Sequence, residues 1–133
     1  MRSLSSVLCA VLVLRLGLAA ESPGGEKKAP SGQQLYAAHC AVCHGADGRG
    51  GGPMAPQLKV WPPDLTTLSQ KNHGTFPELH VNESIDGEFG PAHGTREMPI
   101  WGPAFRSAAP GYGDSAQLRM AHLVKYIESL QER

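Results

Sequence analysis

Large rings are scarce in this 133-residue chain: two Trp, three Tyr and three Phe make up 6% of it. An aromatic-walled core is therefore excluded. An excess of one charge is missing too, because 12 Lys and Arg stand against 12 Asp and Glu. That balance argues against a nucleic-acid surface, which needs a concentrated basic excess. Three cysteines are too few for a disulfide-dense scaffold. The longest apolar run, Val7 to Leu14, falls far short of the ~20 residues that a membrane-spanning helix needs. What the chain has in quantity is punctuation, with 16 Gly and 11 Pro. With 41% hydrophobic and 18% charged residues it is not compositionally disordered, and its length suits one domain. So much loop and so few rings predict a fold that packs around something other than its own side chains.

The N-terminal segment reads as an export signal. Met1-Arg2 precedes the apolar run, and Gly17-Leu18-Ala19-Ala20 supplies small residues for cleavage, although Arg15 interrupts the pattern. Cys9 is no lipidation site, since Leu8 stands where a small residue is needed. Residues 1–20 are assigned to the signal peptide, 21–30 to a flexible polar leader and 31–133 to the folded domain. Cleavage removes Arg2 and Arg15, giving a mature chain with net charge −2 and two cysteines, Cys40 and Cys43. Within the domain, Ser31 and Gln34 form a capping box ahead of Leu35 and Tyr36. A helical turn is expected at Leu65 and Leu68, and a helix carrying Val81 and Ile85 up to Gly87. Residues 90–113 read as loop. The last helix runs from about Ser115 to Leu130 with Leu123, Ile127 and Leu130 in one stripe. The fold class is all-α, three to four short helices joined by long loops that need an internal scaffold.

Cys40-Ala41-Val42-Cys43-His44 identifies that scaffold, because C-x-x-C-H is the attachment pattern for c-type haem. Two thiols on one turn can each add to a vinyl group along one edge of a porphyrin, and the adjoining imidazole can then coordinate iron. A zinc site would want a second ligand pair at tight spacing, whereas His73, His80 and His93 are spread out. A thioredoxin-like pair expects a βαβ surrounding, and no alternating strand precedes the motif.

With these residues in view, the chain resembles the class I cytochromes c over about residues 31 to 131. Gly32, Tyr36, Cys40, Cys43 and His44 match the family's first helix, and Leu123, Tyr126 and Ile127 its last. The resemblance implies that those two helices cross closely at the glycine. It also implies that the carbonyl of Pro56 accepts the ligand histidine's second ring proton, and that Leu58 packs on the haem. Met98, in Met98-Pro99, matches the family's second axial ligand, and the residue before Pro is biased to the extended backbone a loop ligand needs. Met54 and Met120 read as packing or surface residues, while a bis-histidine site using His73, His80, His93 or His122 stays open. His39 is expected to be exposed. Trp61, Trp101 and Arg96 could reach haem propionates, though wall packing suits both indoles better.

The resemblance implies one covalent haem c, held by Cys40 and Cys43, with His44 and Met98 closing both axial positions and so no enzyme activity. Leu35, Leu58, Leu65 and Ile100 are expected to wall it. The expected function is one-electron transfer by a periplasmic, monomeric carrier that docks transiently with redox partner proteins. The alternative is a haem-bearing subunit of a dehydrogenase or oxidase. No nucleic acid is involved, and membrane contact arises only if the N-terminal segment stays uncleaved. The triple glycine lacks the Lys-Ser/Thr of a phosphate loop, Asn82-Glu83-Ser84 is an uninformative glycosylation sequon, and Lys27-Lys28 is too short to bind membranes.

Overall fold

A computed structural model describes residues 28–87, 98–108 and 115–132. The signal segment, most of the leader, His93 and Arg96 lie outside the described residues. Among those described the structure is helical, and no helix is long and apolar enough to cross a membrane. We number the helices α1 (Gly32–His39), α2 (Ala41–His44), α3 (Leu68–Lys71), α4 (Glu78–Asp86), α5 (Gly102–Ser107) and α6 (Ala116–Ser129), with 3-10 turns at Ala55–Gln57 and Leu65–Thr67.

Local chemistry sets the helix ends. Ser31 Oγ accepts from Gln34 N–H at 3.2 Å while Ser31 N–H donates to Gln34 Oε1 at 2.8 Å, the reciprocal capping box. Asp64 caps the turn after Pro63 by accepting from Thr66 N–H at 2.8 Å. Helix α4 stops at Gly87, whose left-handed backbone (φ 80°) is cheap only without a Cβ. Ser115 caps α6. One expectation is corrected here: residues 102–107 are not loop but helix α5. Pro103 in its first turn fits a helix start. Six residues carrying one buried large apolar side chain, Phe105, are too short to display a period.

The core joins α1, α4, α5 and α6. Leu35 and Tyr36, Val81 and Ile85, Phe105, and Met120, Leu123, Val124 and Ile127 form one buried cluster. The pair α1 and α6 makes the most extensive helix contact, and the Tyr36 and Tyr126 rings lie 5.3 Å apart across it. Gly32 permits the approach, since a Cβ there would come within 2.7 Å of both the His122 carbonyl carbon and Tyr126 Cβ. Packing starts before Ser31: Ala29 is buried, and the Pro30 carbonyl lies 3.1 Å from His122 Nδ1. His122 is thus tied to the chain entering α1.

Candidate functional site

Helix α2 is a single turn, and its carbonyls would be left without intrahelical partners. The glycine loop supplies them. Gly50, Gly52 and Met54 N–H groups donate to the carbonyls of His44, Cys43 and Val42 at 2.8, 3.0 and 2.9 Å. This requires contact at backbone distance: a Cβ on Gly52 would come within 2.6 Å of the Cys43 carbonyl. Tyr36 Oη adds a buried bond to the Gly45 carbonyl at 2.8 Å, pinning the end of α2 to α1. The triple glycine therefore has a structural purpose that its sequence alone did not disclose. It moulds the chain onto the Cys-x-x-Cys-His turn.

That turn opens on a cavity of about 430 Å³. Cys40, Cys43 and His44 line one part of it, and Leu58, Val60, Trp61 and Leu65 another. Val81 and Ile85 of α4 contribute apolar wall, and Met98, Pro99 and Trp101 line it from the loop before α5. The expected residues Cys40, Cys43, His44, Leu58 and Met98 thus share one space. Of the expected walls, Leu58 and Leu65 face the cavity, whereas Leu35 belongs to the core. Ile100 is 58% exposed and covers Gly87 instead.

The assignment of Pro56 is corrected by the geometry around His44. Its Nδ1 lies 3.3 Å from the carbonyl of Pro63, nineteen residues on in sequence. Pro56 sits exposed in the 3-10 turn Ala55–Gln57. The reason is chain length: the loop over α2 and the 58–62 segment both intervene before the chain returns to the imidazole. Any residue's carbonyl can serve, so the loop's path and not residue type decides which one does. Donation from Nδ1–H to Pro63 leaves the Nε2 lone pair free, the form a metal ligand needs.

Electrostatics agree with this arrangement. Burial holds the His44 pKa below its ordinary value, and the Pro63 carbonyl opposes that shift less strongly. The buried imidazole is therefore favoured in its neutral form. Burial, with a smaller contribution from Cys43, pushes the Cys40 thiol up to about 12. Cys40 and Cys43 are both free thiols. Two thiols, a neutral imidazole and a thioether around an apolar cavity fit a covalently held haem by donor chemistry. Zinc fits less well, since among the described residues no three His, Cys, Asp or Glu side chains gather into a metal-binding group.

Side chains that the sequence did not mark also stand at the cavity. His39, expected to be exposed, is half-buried, with its ring 4.5 Å from Trp101 and 5.5 Å from Phe105. Both His39 and Trp101 line the cavity. A histidine one residue before the motif carried no sign of this, because its partners come from a short helix more than sixty residues away. His80 and Lys71 also reach the cavity wall, while His73 lies exposed in the turn after α3 and does not line it. Met120 is buried in the core, and Met54 is exposed away from the cavity.

No curated protein and no solved structure matches the chain. The cytochrome c family model matches residues 29–131, which takes in every element described above. With its Cys-x-x-Cys-His turn opening on an apolar cavity, the chain belongs to the cytochrome c family, whose members transfer electrons by means of haem.

Proposed function

We propose that this chain is an exported, monomeric one-electron carrier of the periplasm, holding a single haem c. Cys40 and Cys43 would carry the two thioether links, with His44 and Met98 as axial ligands. The observation that carries the reading is that all four side chains line the same cavity. When bound, the haem supplies an iron that exchanges one electron between its ferrous and ferric forms. His44 is kept neutral by burial and oriented through Pro63, so it needs no proton loss before coordinating. Met98 offers a soft thioether, which favours the lower charge state and raises the potential relative to a second imidazole. Leu58, Leu65, Val81 and Ile85 keep water out and further disfavour added charge. Val60 and Trp61, lining the cavity yet more than half exposed, mark where a redox partner protein would dock in a small, transient contact.

Met98→Ala tests the ligand set. The oxidised variant is expected to lose the weak near-infrared sulfur–iron band and to have a lower reduction potential. An unchanged spectrum and potential would reject Met98.

A further inference from the structure

The chain beyond Met98 is fastened to the end of α4 at four points. Ile100 covers Gly87, and its Cβ lies 3.1 Å from where a Gly87 Cβ would stand. Trp101 N–H donates to the Ile85 carbonyl at 2.9 Å. Gly102 presses on Asp86 so closely that a Cβ would come within 2.7 Å of the carboxyl carbon and 2.8 Å of the backbone oxygen. Arg106, one turn into α5, then donates from Nη1 to Asp86 Oδ1 at 2.8 Å. The two partners differ in setting: the Asp86 side chain is 14% exposed and that of Arg106 52%. The carboxylate therefore lies under α5 with the guanidinium closing over it.

We propose that Asp86, through Arg106, is a positioning residue for Met98, fixing the start of α5 and with it the segment that presents the thioether. This rests on the reading of Met98 as an axial ligand. A neutral thioether is a weak donor, so the share of time it stays coordinated depends on how little freedom its loop gains by leaving. An ion pair half in water contributes little to global stability. Its effect is felt where it acts, at the anchor of the ligand segment.

Competition by an added ligand reads this directly. The oxidised holoprotein is titrated with imidazole, comparing wild type with Asp86→Asn, Arg106→Ala and the double variant. Arg106→Lys keeps the charge, and Lys125→Ala breaks the separate Lys125–Glu128 pair on α6. Apparent imidazole affinity is expected to rise about two- to fivefold in each single variant, the range that a half-exposed ion pair can supply. The double variant should rise no further, because both changes break one contact. Arg106→Lys should stay near wild type, and Lys125→Ala should not move. Wild-type affinity in Arg106→Ala, whose exposed side chain can be cut back without opening the core, overturns the proposal even if Asp86→Asn fails to fold. An equal rise in Lys125→Ala would show general loosening and overturn it too. If wild type itself lacks the near-infrared sulfur–iron band, the Met98 reading fails and this inference falls with it. A band that is present alongside unmoved affinities sinks the positioning role alone.

Discussion

Gly32→Ala sets two effects of opposite sign against each other. Replacing a helical glycine by alanine removes backbone entropy from the unfolded chain and favours the helix by about 0.5–1 kcal/mol in a helix interior, less at the first helical position. Here the new methyl would lie within 2.7 Å of the His122 carbonyl carbon and of Tyr126 Cβ. A flexible side chain could swing away, but a backbone carbonyl within α6 cannot. The helices must separate, which loosens Leu35 and Tyr36 against Leu123 and Ile127. Overpacking of this kind costs about 1–3 kcal/mol, so the net effect is destabilisation by about 1–2 kcal/mol. For a domain of this size each kcal/mol lowers the melting temperature by about 4–8 °C. Thermal unfolding of the holoprotein, followed by far-ultraviolet circular dichroism, is the assay. A variant melting at or above wild type would mean that helix propensity outweighs the close approach, and the account of the α1–α6 crossing would be wrong.

Two further outcomes follow from the site. Burial, aided by the positive charge of Arg119, holds the His39 pKa below its ordinary value. As pH falls below the ordinary histidine value of about 6.5, the unfolded chain takes up a proton before the folded one does. The stability His39 contributes is therefore complete above that value and declines as pH falls toward the folded pKa. His39→Gln should flatten the dependence of urea stability on pH across mildly acidic conditions, and a slope equal to wild type would refute this. In the reduced holoprotein the ring N–H proton of His44 should show nuclear Overhauser contacts to Pro63 and none to Pro56, because the carbonyl at that nitrogen is that of Pro63. Contacts to Pro56 instead would return the role to it.

What the sequence made legible was governed by local rules. The capping box at Ser31 and Gln34, the stop at Gly87 and the stripe on α6 each depend on residues within a turn or two, and each stands in the structure. The Cys-x-x-Cys-His turn was legible for the same reason, since its chemistry requires that spacing. Contacts set by the path of a loop were not. The acceptor for His44 depends on how much chain the turn over α2 consumes, and the placement of Ile100 on how the chain re-enters at α4. His39 was read as exposed because its partners Trp101 and Phe105 arrive from an element too short to show a pattern. The glycine run looked like mere loop, yet its N–H groups complete the hydrogen bonding of α2.

Cys40 and Cys43 are proposed to hold a haem covalently in the cavity they line with His44 and Met98. Intact mass under denaturing conditions, on protein matured in a host able to attach c-type haem, tests it most directly. The mature chain is expected to be heavier by one haem that survives denaturation and acid extraction. A colourless chain of polypeptide mass alone would contradict it.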